Sequence, residues 1–201
     1  DSPIVERVKC GALAKEDLKG REVDLSHILQ VRYHFSQRHA TAMVQFWKAF
    51  CETIKHTAAV DSIHIGDLFM VAGYISHAVA EVPEFLRTVN DNDKWLEVMA
   101  RETWLYLRNK LGVYFDKNPL LEGNLRKHIL EIRAKPMSFD FDKDVYILDT
   151  TAHQLVINGV GIAMDPDIDG EKALFKKTGL VLTTETVKVL GALIREQKYG
   201  H

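Results

Sequence analysis

The chain has 201 residues, 46% of them hydrophobic and 27% charged, the balance of one ordinary globular domain long enough to bury a core without staples. Its formal net charge of −2 and pI near 6.5 exclude a wholesale polyanion binder, which carries a strongly basic balance. No apolar run approaches the roughly 18 residues of a membrane span, and DSPIVERVKC has neither the basic nor the apolar region of a signal peptide.

In chain order, residues 1–24 are polar and mixed, and read as an arm with a helical turn near Ala14 to Leu18. Residues 28–36 alternate: Leu29, Val31, Tyr33 and Phe35 are apolar, while Gln30, Arg32, His34 and Ser36 are polar. Period two predicts a half-buried strand. Ser36 stands where a helix N-cap would. Behind it Ala40, Met43, Val44, Trp47, Phe50, Cys51 and Ile54 recur at helical spacing. A second helix is expected from Gly66 to Glu81, capped by Asp61 or Ser62, largely buried and ended or kinked by Pro83. A short helical piece is read at 84–89, and NDND at 90–93 is a turn.

A long helix follows from Lys94 to Leu111, and another from Leu121 to Arg133, with Asn118-Pro119 as the stop between them. Residues 143–163 fit two short strands or one helix, and the helix is favoured through Val145, Leu148, Ala152, Leu155 and Val156. A helix from Thr184 to Gln197 closes the chain. The fold class expected is mainly α, with a ribbon–helix–helix core. Its lone N-terminal strand would pair with the same strand of a second copy, because a strand cannot leave its N–H and C=O groups unpaired. The organisation is then an arm at 1–24, the core at 25–85 and a helical extension at 86–201, for oligomerisation or regulation.

Charge is unevenly spread. From Leu25 to His56 four cations (Arg32, Arg38, Lys48, Lys55) face Glu52 alone, and four histidines lie there too. From Asp140 to Glu171 eight acids face Lys143 alone. One end could meet a polyanion and the other repel it.

The polar ribbon face fits the major groove, where arginine pairs with guanine and glutamine with adenine. The DNA-binding residues expected are Gln30, Arg32, His34, Ser36, Arg38, Ser62 and His64. The last two lie near the N-terminus of the second helix, which would hold a phosphate, although Asp61 and Asp67 would repel it. Arg7, Lys9, Lys15, Lys19 and Arg21 of the arm would track phosphate.

Other chemistry is thinner. Asp165-Pro-Asp-Ile-Asp-Gly170 copies the start of an EF-hand loop, but Lys176 stands where the bidentate glutamate belongs, so an acidic turn is read. Asp149 and His153 would share a helix face as a surface pair. Gly159-Val-Gly161 lacks the third glycine of a dinucleotide fingerprint. Trp47, Trp95 and Trp104 read as core. No enzyme, cofactor or metal is expected. Cys10 and Cys51 form no framework and read as reduced thiols, which places the chain in the cytoplasm.

The segments LQVRYHFSQRHATAMVQFWKAF and IGDLFMVAGYISHAVAEV give the chain a pattern that resembles the AcaB-like transcriptional regulators of conjugative plasmids and integrative conjugative elements. The resemblance covers about residues 25–85. It implies a ribbon–helix–helix core with added helices, binding of double-stranded DNA as a homodimer or larger, and activation of transfer genes. It also implies that Gln30, Arg32, His34 and Ser36 face DNA, with Arg38 on phosphate. This chain departs from small members of that fold in its longer first helix, its longer inter-helix turn and its acidic C-terminal part. The rival readings are a helical assembly adaptor that pairs its strand with another protein, and a small-molecule site around Asp149 and His153.

Overall fold

The computed structural model describes residues 18–81, 94–132, 141–142, 146–167, 176, 179, 181 and 183–199. The expected short helix at 84–89, the NDND turn, the stop at Pro136 and the arm before residue 18 lie outside them, as do three of the arm's cations, Arg7, Lys9 and Lys15. The chain divides into two compact units, Asp1–Phe139 and Asp140–His201.

The first element overturns the ribbon. Leu18–Tyr33 is an α-helix (α1), so LQVRYHFS is helical up to Tyr33 and no N-terminal strand stands there. The physical reason is a second period hidden under the alternation. Leu25 and Leu29 are buried and Tyr33 is half-buried, at spacings of four, while Val31 is 64% exposed. A helix also pairs the backbone within its own segment, so it needs no second copy to complete it. With the strand goes the ribbon–helix–helix core and the two-fold ribbon dimer argued from it.

α1 ends at His34, whose φ of 60° lies in the left-handed region that histidine enters more readily than most side chains. The Phe35 N–H reaches back to the Leu29 carbonyl at 3.2 Å. Ser36 then caps the second helix (α2, Gln37–Ile54) as its position suggests. Its Oγ accepts the His39 N–H at 3.2 Å. The whole expected stripe from Ala40 to Ile54 is buried.

Thr57 caps a 3-10 turn, Ala58–Ser62. Helix α3 (Ile65–Ala80) begins at His64, so neither Asp61 nor Ser62 caps it. Asp67 reaches back instead, and its Oδ2 accepts the His64 N–H at 2.6 Å. Helix α4 (Lys94–Phe115) matches its expectation and runs one turn further. Asn118-Pro119 proves to be a start, not only a stop. The Asn118 side chain accepts the Leu121 N–H, and proline sits in the first turn of α5 (Pro119–Glu131), where its missing N–H costs nothing.

Within this unit α2 packs between α1 and α5, and α3 packs on α4 and α1. Leu29, Met43, Trp47, Phe50, Leu68, Ile75, Met99, Trp104 and Leu107 fill the core. Cys51 is fully buried and disulfide-bonded, which corrects the reduced-thiol reading; the sequence holds one other cysteine, Cys10. Disulfides belong mainly to oxidising compartments, so the cysteines no longer support a cytoplasmic location.

The second unit corrects the favoured helix at 143–163. Strands β1 (Tyr146–Asp149), β2 (Gln154–Ile157) and β3 (Val160–Ala163) form an antiparallel sheet in sequence order. Ile157 pairs with Val160 across Asn158-Gly159, both with positive φ (49° and 85°), the two-residue hairpin that Asn-Gly favours. Asp149 does not share a helix face with His153. Its Oδ1 accepts the N–H groups of Thr151 and Ala152, and His153 turns with φ 48°. Helix α6 (Thr184–Tyr199) lies on β2 and β3, with Arg195 donating to the Asn158 carbonyl at 2.6 Å.

Candidate nucleic-acid interface

The turn between α1 and α2 gathers most of the residues singled out from the sequence, though on a helical corner rather than a ribbon. From Leu25 to Cys51 the chain carries no acid at all. Arg32, His34, Ser36, Gln37 and Arg38 are all exposed there. The corner is braced from behind. The ring of Trp95 stacks on His39 at 4.9 Å and meets Phe35 edge-on at 5.1 Å, and Tyr33 stacks on Phe69 of α3 at 6.1 Å.

Each expected side chain has a specific place. Gln30 is half-buried on α1, and its amide donates to the carbonyl and hydroxyl of Ser26 at 3.2 and 3.3 Å. The Arg32 guanidinium lies 5.8 Å from the centre of the Tyr33 ring, within cation–π range. Burial pushes the Tyr33 hydroxyl above its ordinary pKa, with the Arg32 charge pulling the other way. His34 is the turn itself. The Ser36 hydroxyl is occupied with capping and lies 2.9 Å from His39 Nδ1, so it has little left for a base edge.

Ser62 and His64 are not brought to this corner's turn. Ser62 Oγ is 2.6 Å from the Tyr114 hydroxyl, and the His64 backbone N–H is held by Asp67. The place expected to hold a phosphate is therefore taken by the chain's own carboxylate. Asp67 is 4% exposed and also accepts from the Tyr106 hydroxyl at 2.5 Å and from Lys110 Nζ. This network clamps the start of α3 to α4.

A cleft of about 340 Å³ lies between α1 and α2, with the expected Gln30 beside Ser26 and His27 on one wall and three residues missed in the sequence, Gln37, Thr41 and Gln45, on the other. The signal was available. Gln37, Thr41 and Gln45 stand at i, i+4 and i+8 on the helix already recognised, and form one row.

A second groove of about 280 Å³ lies between α2 and α5. Beside it Thr53 Oγ1 is 2.8 Å from His128 Nε2, and His128 Nδ1 is 3.2 Å from Glu131 Oε2. The order hydroxyl–imidazole–carboxylate matches a nucleophile–base–acid relay. However, Thr53 gives its single proton to the Ala49 carbonyl at 3.1 Å. With that proton committed to the backbone the hydroxyl is not activated, and the chain of contacts ties α5 to α2.

Among the described residues no group of three or more His, Cys, Asp or Glu side chains could hold a metal ion, and no helix is long and apolar enough to cross a membrane. In the acidic loop Asp165 Oδ1 accepts the Asp167 N–H at 3.0 Å; residues 168–170 lie outside the described part. No protein-family model, no curated protein and no solved structure matches this chain.

Proposed function

We propose that the chain is a DNA-binding regulator that grips duplex DNA with the α1–α2 corner. One observation carries this reading: a chain of net charge −2 keeps an exposed corner free of acids from Leu25 to Cys51, with Arg32 and Arg38 on its surface. Phosphate contacts from arginine and lysine supply most nucleic-acid affinity, and Arg32 and Arg38 are exposed where they could make them. The exposed row of Gln37, Thr41 and Gln45 gives α2 a face of side chains that can reach base edges.

The resemblance to AcaB-like regulators enters as part of this proposal, without its ribbon. Self-association belongs to it as well, and so does a cytoplasmic location, against which the disulfide at Cys51 speaks. If Arg32, Arg38 and Lys48 each neutralise one phosphate, log affinity falls with log salt at a slope of about −3. Fluorescence anisotropy with a random-sequence duplex at two salt concentrations measures that slope. Arg38→Ala should reduce it by about one and weaken all sequences alike. No binding at low salt, or a slope untouched by Arg32→Ala and Arg38→Ala together, sinks the reading.

The second reading, a helical assembly adaptor, draws on Val113 and Leu120. They stand 72% and 78% exposed on α4 and α5, on either side of the short connection between them. Light scattering of the purified chain mixed with a candidate partner tests it, with Leu120→Glu expected to abolish the complex.

A further inference from the structure

We propose that the cleft between α1 and α2 binds an adenine base. The inference takes its location from the DNA-binding reading, but it is tested without DNA. At about 340 Å³ the cleft is at the lower end of the size range of small-molecule sites.

Its walls carry hydrogen-bonding capacity that the fold does not use. The side chains of His27, Gln37, Thr41 and Gln45 make no hydrogen bond among the described residues. Gln30 uses only its amide nitrogen, on Ser26, which leaves its carbonyl oxygen open. Three carboxamides therefore converge on one space: Gln37 and Gln45 each offer an acceptor beside a donor, and Gln30 adds an acceptor.

The chemistry of the lining selects the ligand. No lysine, arginine or acid lines the cleft, so a phosphate or a carboxylate finds no counter-charge inside it. Guanine presents two adjacent acceptors on its outer edge and calls for two donors, the pattern arginine supplies. Adenine presents an amino donor beside a ring-nitrogen acceptor, which a carboxamide meets with two bonds at once. Val44 offers apolar surface and His27 an imidazole face on which a base can stack. Arg32 and Arg38 stand outside the cleft on the same corner, where the phosphates of a strand would run.

Adenine could arrive as a free nucleoside or as an unpaired base in a strand. Adenosine itself is the first probe, titrated into the full ¹⁵N-labelled chain and followed through the side-chain amide signals of Gln30, Gln37 and Gln45. Saturable shifts of these signals are expected, with guanosine binding about tenfold more weakly. The double variant Gln37→Leu, Gln45→Leu should lose binding by at least about tenfold while its melting temperature stays put, since both side chains are exposed.

Unmoved amide signals, or equal response to guanosine, overturn the proposal. Oligo(dA) binding at least about tenfold tighter than adenosine assigns the base to a strand, and equal affinity assigns it to the free nucleoside. Duplex binding without any adenosine response removes the adenine site and leaves the DNA-binding reading standing. The opposite result removes the DNA-binding reading alone.

Discussion

Leu29 and Val31 separate the helix from the ribbon in one experiment. On a strand they share the buried face, so trimming either should cost about the same. On α1 Leu29 is fully buried and Val31 is 64% exposed. Leu29→Ala removes three carbons from a closed core. At about 0.8 kcal/mol each the transfer term is about 2.4 kcal/mol, and the unfilled cavity raises the total to about 3–4 kcal/mol. Val31→Ala loses little burial and gains helix propensity worth about 0.5 kcal/mol, so it should fall within about 0.5 kcal/mol of zero. Urea denaturation followed by far-UV circular dichroism measures both. A Val31→Ala cost near that of Leu29→Ala would refute the helix and restore the alternating strand.

The Asp67 clamp makes a second prediction: Asp67→Ala strands the Tyr106 hydroxyl and the His64 N–H, and should cost about 3 kcal/mol in chemical denaturation; Lys110 is a third exposed, so its ion pair adds little. A loss under about 0.5 kcal/mol would show that α3 does not depend on this carboxylate. Tyr33 sets an alkaline limit. Its folded pKa is raised by burial, so its contribution to stability is intact below the unfolded value near 10 and is lost as pH rises through the folded value. Tyr33→Phe should flatten the melting temperature above that pH, and an unchanged alkaline decline would count against it. Thiol titration of the denatured, unreduced chain should find no free thiol, as the bond at Cys51 requires; two free thiols would return the cysteines to the reduced reading.

Where one period dominated, the sequence was legible. The stripe from Ala40 to Ile54, the cap at Ser36, the long helix from Lys94 and the closing helix were all readable because burial, capping and spacing agreed there. LQVRYHFS was not, because two periods coincide in it. Leu29, Val31, Tyr33 and Phe35 alternate, while Leu25, Leu29 and Tyr33 step by four, and only the second pattern extends upstream. The absence of a partner strand was itself a signal, taken to imply a second copy when it pointed equally to a helix. In the C-terminal unit Asn158-Gly159 lies between two short apolar runs, a hairpin signature that competes with the helical spacing of Leu148, Ala152 and Leu155. Of the candidate site, Arg32, His34, Ser36 and Arg38 do meet at one exposed corner. The row Gln37, Thr41 and Gln45 was less legible, because the helical period marks the buried stripe of α2 and this row lies on its exposed side.

Trp95 gives the corner an optical reporter of its own. Trp47 and Trp104 are sealed in the core, but Trp95 is half-buried, with its face on His39 and its edge toward Phe35. A soluble quencher therefore reaches one indole of three. Any ligand that shifts the start of α2 moves His39 against that indole and changes its emission without an added label. Binding at the corner can be watched in the unmodified chain, by light the molecule already emits.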